Sequence, residues 1–206
     1  MLKKTYAMFY NHSHVGDVLL IVFDEAARPN EVIKNGDVVF LKKDGEVVGI
    51  NIFNIGSVMK IKANGLIPIV SDEILNVINS ILKNAGFEEL PKKDSSGFKV
   101  AKIVEIDEHP DSEHLHICDV DVGEEKTLQI VCGAANARKD LLCVCVTPLT
   151  FMPNGKQIVP GKLLGIESNG MLCSGRELGL EGYENKRGLL ELDPSEYKVG
   201  EDFFLK

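Results

Sequence analysis

A chain of 206 residues with 44% apolar content has enough length for one large or two ordinary domains and enough apolar material to bury a core. There is no run of 18 apolar residues and no apolar segment behind the two lysines of Met1-Leu2-Lys3-Lys4-Thr5-Tyr6, and the five cysteines lack C-x-x-C spacing. These features argue against a membrane span, a secretory signal, a disulfide framework and a zinc ribbon, and predict a soluble cytoplasmic protein. The charge balance, 23 basic against 31 acidic residues, is net −8, and almost all of the excess lies in residues 98–206, so a polyanion bound there has to meet a local positive patch.

In chain order, residues 5–23 alternate loosely and end in Val18-Leu19-Leu20-Ile21-Val22-Phe23, a buried strand closed by Arg28-Pro29-Asn30. His12 and His14 lie in Asn11-His12-Ser13-His14 with no metal-binding partner nearby, which reads as a solvated loop. Residues 37–41 and 47–53 flank Asp44-Gly45, a strong hairpin signal. Ser71 through Gly86 predicts a helix: Ser71 is the N-cap, Asp72 and Glu73 occupy the first turn, apolar residues at 74, 75, 77, 78, 81 and 82 share a face, and Gly86 is the stop. Residues 1–87 therefore read as a small α+β domain with an antiparallel sheet. Residues 88–97 are polar and aperiodic, the composition of a linker.

From Phe98 the texture changes to short strands at 98–106, 116–122, 128–132, 141–146 and 188–192, separated by turn signals. Five such strands without crossover helices predict an all-β OB-fold, a five-stranded Greek-key barrel, over residues 98–206.

Several groups there have chemistry to offer. Cys143 and Cys145 are two apart on a strand and share a face, but their Leu-Leu-Cys-Val-Cys-Val setting reads as core packing. Cys173, in a loop region, is expected to be more exposed. His109-Pro110-Asp111-Ser112-Glu113-His114-Leu115-His116 has the composition of a metal or acid–base site, but its spacing matches no metal motif, and its turn formers suit a loop between the first two barrel strands. In an OB fold that loop borders the nucleic-acid face, which gives His114 a role in touching phosphate or base. The cations Lys99, Lys102, Arg138, Lys139, Lys156, Lys162, Arg176, Lys186 and Arg187 form a site only if they converge on one groove. In Gly165-Ile166-Glu167-Ser168-Asn169-Gly170-Met171-Leu172-Cys173-Ser174, two glycines free the backbone, while Ser168, Asn169 and Met171 offer hydroxyl, amide and apolar contacts.

Four stretches of this half, His109–Leu115, Cys118–Gly123, Gln129–Asn136 and Lys162–Ser174, are similar in sequence and order to the tRNA-binding domain of bacterial phenylalanyl-tRNA synthetase β subunits and methionyl-tRNA synthetase C-termini. A small N-terminal domain followed by this module resembles the YtpR type of stand-alone tRNA-binding protein. The resemblance implies an OB-fold that binds tRNA by shape without aminoacylating it, works as a homodimer, and has aminoacyl-tRNA synthetases among its partners. It needs no cofactor, metal or membrane. Ser168 and Met171 match the family's loop and carry over as expected tRNA contacts, with Glu167, Asn169, Gly170 and Ser174 around them. His114, Lys99, Asn136, Arg138, Lys162 and Arg176 complete the expected face. Where the family commonly has Ala-Asp-Lys-Leu or Ala-Asp-Arg-Leu, this chain has Ser112-Glu113-His114-Leu115, so a fixed cation is replaced by a histidine.

Overall fold

Strand alternation and one strongly amphipathic helix organise the first half of the chain. The structure, a computed structural model, describes residues 5–205. The leader-segment reading rests chiefly on Met1–Lys4, which lie outside the described residues. The chain divides into two units, Met1–Asp94 with Asn154–Lys156, and Ser95–Pro153 with Gln157–Lys206.

In the first unit β1 (Ala7–Tyr10) pairs antiparallel with β2 (Val18–Val22), Ala7 opposite Val22. The four-residue helix α1 (His12–Val15) joins them, and the Asn11 side chain caps it by accepting from the His14 amide at 3.2 Å. His12 and His14 are exposed on this turn of helix rather than in an open loop. β3 (Glu31–Asn35), β4 (Val38–Lys43) and β5 (Glu46–Phe53) follow. The β4–β5 hairpin turns at Asp44 and Gly45, both with positive φ, as the Asp-Gly signal predicts. With β6 (Gly65–Ile67) the sheet order is β3-β4-β5-β2-β1-β6, antiparallel throughout.

Helix α2 (Asp72–Asn84) starts where Ser71 accepts from the Ile74 amide at 3.3 Å and ends before Gly86 at φ +82°. It buries Leu75, Ile78 and Leu82 against Leu19, Ile21, Ile50 and Ile52 of the sheet. The expected α+β unit is thus largely β, six strands with one helix of more than four residues. Residues 88–97 form no helix and are not free chain at their start: Leu90 is buried, and the Asn79 side chain holds its amide and carbonyl at 2.8 and 3.0 Å.

In the second unit β7 (Phe98–His109) and β8 (Ser112–Asp121) alternate in part between buried and more exposed positions, β9 (Leu128–Cys132) ends in three buried residues, and β10 (Leu142–Val146) is buried throughout. A separate two-stranded hairpin, β11 (Gly161–Leu163) and β12 (Ile166–Ser168), precedes β13 (Met171–Cys173). The five-stranded sheet runs β13-β10-β7-β8-β9 and is antiparallel. Register shifts at Ile103/Glu105 and Glu108/His109 bend β7, and the sheet curls into a half-barrel around Ala101, Ile103, Val120, Ile130 and Leu172.

Two expectations need correcting. The fifth strand is β13, not residues 188–192, whose bonds to the sheet backbone are isolated ones, Leu190 amide to Cys173 carbonyl and Leu192 amide to Leu142 carbonyl, both at 2.9 Å. Cys173 pairs with Val144 inside the sheet and is fully buried, because the loop that contains it becomes a strand before reaching it.

Candidate nucleic-acid interface

Residues 165–174 form a step between two sheets. The hairpin turns at Leu164 and Gly165, both at positive φ, and returns as β12. The chain then crosses Asn169 and Gly170 and enters the main sheet as β13. Three bonds seat β12 beside β9: the Val131 amide donates to the Ser168 hydroxyl at 3.1 Å, the Asn169 amide to the Gln129 carbonyl at 2.8 Å, and the Gln129 side chain to the Glu167 carbonyl at 2.8 Å. Gly170 has φ +151°, and a Cβ there would stand 2.9 Å from the Val146 carbonyl oxygen, so only glycine makes this crossing without displacement.

The His-Pro loop anchors the other strand of the hairpin. His109 is 3% exposed; its Nδ1 accepts from the Asp111 amide at 3.1 Å, which leaves Nε2 to donate to the Leu163 carbonyl at 3.3 Å. Both ring nitrogens are therefore occupied by backbone partners. Among the described residues no group of three or more His, Cys, Asp and Glu side chains is placed to hold a metal ion.

The cations sort into two sets. Arg138 makes a bidentate pair with Glu191 at 2.7 and 2.9 Å, Lys139 meets Glu105 at 2.6 Å and Lys102 meets Asp140 at 2.6 Å. Hydrogen bonds from Arg138 and Asn136 hold the Glu191 carboxyl down at about 2. Lys99, on β7, reaches the Gly200 carbonyl at 3.4 Å. Lys162 is exposed on β11 in register with Glu167. Arg176, Lys186 and Arg187 are exposed and, like Lys99 and Lys162, pair with no carboxylate among the described residues; unlike those two they lie together. Lys186 lies over the Tyr183 ring, 4.1 Å from its centroid.

These three cations rim a cavity of about 470 Å³. Its walls include Met171, Leu172, Leu189 and the backbone of Gly133 and Gly188, and Cys132 is in its lining. The Cys132 sulfur accepts from the Ala134 amide at 3.5 Å, and the neighbouring Cys118 thiol, the larger effect, with that bond holds the Cys132 pKa below the ordinary thiol range against the opposing effect of burial. Burial pushes the Cys143 thiol up to about 12 and raises those of Cys145 and Cys173, as core packing requires.

Of the residues expected to form the face, Gly170, Met171, Ser174 and Arg176 line this cavity, and Ser168 and Asn169 immediately precede it. Ser174 is buried and engaged with Glu177, its hydroxyl donating at 2.7 Å. Asn136 stands behind the wall, clamping Leu189 through the Leu189 amide at 2.8 Å and carbonyl at 3.1 Å. His114 is exposed on β8, and its carbonyl would lie 3.7 Å from a Cβ built on Gly133. Glu167 and Lys162 face each other on the hairpin, while Lys99 and Arg138 are held away by the partners named above. Sequence reading counted Lys186 and Arg187 among the cations without assigning them to the site, and it overlooked the Gln129 clip. The only signal for the two cations was their adjacency, since nothing local shows that their carboxylate neighbours point elsewhere.

Comparison with known proteins matches the second unit and the whole layout. The family described as "Putative tRNA binding domain" covers residues 98–202, and one described as a domain of unknown function covers residues 25–93. The chain is 38% identical over 199 residues to "Putative tRNA-binding protein YtpR" of Bacillus subtilis, covering 95% of this chain and 98% of that one. It is 40% identical over 139 residues to the phenylalanine–tRNA ligase beta subunit of Sulfurimonas denitrificans, covering 65% of this chain and 17% of that subunit. The corresponding subunit of Methylococcus capsulatus is 48% identical over 109 residues, 53% of this chain and 13% of that one. The chain thus spans a small part of the ligase subunits and nearly all of the Bacillus protein. No helix among the described residues is long and apolar enough to cross a membrane. With one family covering the curled sheet and its hairpin, and a relative of the same two-part layout matched along nearly its full length, the chain belongs to the YtpR-type family of tRNA-binding-domain proteins.

Proposed function

We propose that this chain binds tRNA without catalysing a reaction on it, and that the contact face is the Ser168–Met171 step with the cationic rim beside it. The curled half-barrel is read here as a five-stranded Greek-key OB barrel, residues 98–206 as the RNA-binding domain, residues 1–87 as a separate domain and 88–97 as the link. The protein works in the cytoplasm as a homodimer, with aminoacyl-tRNA synthetases as the protein partners that fit this family.

The observation that carries the proposal is the sorting of charge. In a region of net −7, Lys102, Arg138 and Lys139 are offset by their carboxylate partners, whereas Arg176, Lys186 and Arg187 are unpaired and gathered beside Met171. Local attraction set in an acidic surround suits a shape-selective RNA contact made through a few phosphates, backbone groups and one soft apolar side chain.

The test is filter binding of total tRNA at several salt concentrations. Affinity should fall steeply with salt, with a log–log slope of roughly −0.7 to −0.9 per phosphate contacted. A flat response overturns the RNA reading. The acidic balance favours one second reading, a protein-docking module of the translation machinery. It predicts no tRNA retention at any salt but capture of a purified synthetase.

A further inference from the structure

The rim and floor of the cavity beside Met171 differ in chemistry, and the difference selects a ligand. Arg176, Lys186 and Arg187 put three cations in its lining against one carboxylate, Glu177, which is taken up by the Ser174 amide and hydroxyl, while Met171, Leu172 and Leu189 give it an apolar wall. Its volume, about 470 Å³, lies within the ~300–1,000 Å³ typical of clefts that enclose a small molecule. A free phosphate would satisfy the rim and leave the apolar wall uncovered. The backbone of a duplex has the same shortcoming, because its bases are stacked inside. An unstacked nucleotide matches both parts: its base has a face to lay on Met171 and Leu189, and its phosphate reaches guanidinium and ammonium donors.

We propose that this cavity takes one unstacked nucleotide of a bound RNA, its base against Met171 and Leu189 and its phosphate held by Arg176, Lys186 and Arg187. The assignment rests on the RNA-binding reading and adds to it where a single-stranded part of the molecule is gripped. Glycine at two positions lets the walls pack closely against the structure around them. A Cβ at Gly188 would meet the Asn136 amide oxygen at 2.6 Å, and one at Gly170 would meet the Val146 carbonyl at 2.9 Å. The clamp of Asn136 on Leu189 fixes the far wall, so the cavity is preformed.

Cys132 supplies an internal reporter. It lines the cavity and is 7% exposed, whereas Cys118, Cys143, Cys145 and Cys173 are fully buried and serve as controls. The full chain is treated with iodoacetamide, and modification of Cys132 is timed by mass spectrometry alone, with total tRNA, and with a 5′-phosphorylated single-stranded RNA trinucleotide. Both RNAs should slow modification by at least about fivefold at saturation, and a blunt RNA duplex should not. Lys186→Gln with Arg187→Gln should weaken the trinucleotide at least about tenfold, read also by fluorescence of a trinucleotide with 2-aminopurine at its centre, which gives the answer if free Cys132 reacts too slowly to time.

The outcomes separate the two levels of the argument. If tRNA is retained on filters while Cys132 reacts at its free rate and the double variant binds the trinucleotide as wild type does, the cavity assignment is overturned and tRNA binding stands. If the trinucleotide protects Cys132 but tRNA is not retained, tRNA binding falls and the nucleotide cavity stands. If neither RNA binds, both fall.

Discussion

The Ser168 hydroxyl accepts the Val131 amide at 3.1 Å, so the residue expected to touch RNA also ties its own strand to β9. Ser168→Ala removes that acceptor and leaves the amide of a buried residue without its partner, a loss of about 1–3 kcal/mol. Thermal melts should show a midpoint lower by about 2–8 °C, with Ser168→Thr restoring much of it. If Ser168→Ala weakens RNA binding with an unchanged melt, the hydroxyl acts on the ligand and not on the fold.

Arg138 and Arg187 predict opposite behaviour from the same substitution. The Arg138 guanidinium is committed to Glu191, so Arg138→Gln should alter tRNA affinity by less than about twofold, while Arg187→Gln should weaken it several-fold and flatten the salt slope by about one phosphate. Gel shifts at fixed salt compare the two directly. Equal losses would mean that the pair with Glu191 opens on binding.

Asp202 predicts a pH dependence of stability. Burial alone would raise its pKa, but bonds from the Ser96 hydroxyl and amide, the Ser95 hydroxyl and the Phe204 amide outweigh burial and lower it. A carboxyl whose folded pKa is lowered stabilises the fold above its unfolded value, about 3.9, and that contribution is lost as pH falls through the folded value. Chemical denaturation between pH 6 and 2 should therefore show stability falling below about pH 4, and Asp202→Asn should flatten the curve in that window and lower stability at neutral pH. An unchanged acid limb in the variant would show that the bonds do not survive in solution.

Gly170→Ala places a Cβ against the Val146 carbonyl at a φ of +151° and should cost about 1–3 kcal/mol. The loss is read by denaturant melts. Hydrogen exchange should locate the disturbance at β12 and β13, with the first unit unaffected.

What could be read before the structure was whatever depends on near neighbours. Ser71, the apolar face of α2 and Gly86 lie within one helix, and Asp44-Gly45 lies within one turn, so each was legible from its own few residues. The fifth strand was not, because Gly188–Leu192 and Met171–Cys173 are both short apolar runs, and which one joins β10 depends on contacts with distant residues. Nor could charge be apportioned: Arg138 meets Glu191 and Lys139 meets Glu105 across separations of 53 and 34 residues. The Ser168–Met171 step was found through its glycines and its likeness to a family motif. The cavity next to it was hidden, since its lining comes from three separate stretches of chain.

Only Asn169 and Gly170 separate Ser168, the last residue of the hairpin, from Met171, the first residue of the sheet. The hairpin that ends there is braced on both strands, β12 to β9 through Ser168 and Asn169 and β11 to His109 through the Leu163 carbonyl. The backbone that carries Met171 into the cavity wall is therefore in place beforehand, and a ligand gripping it meets little ordering cost.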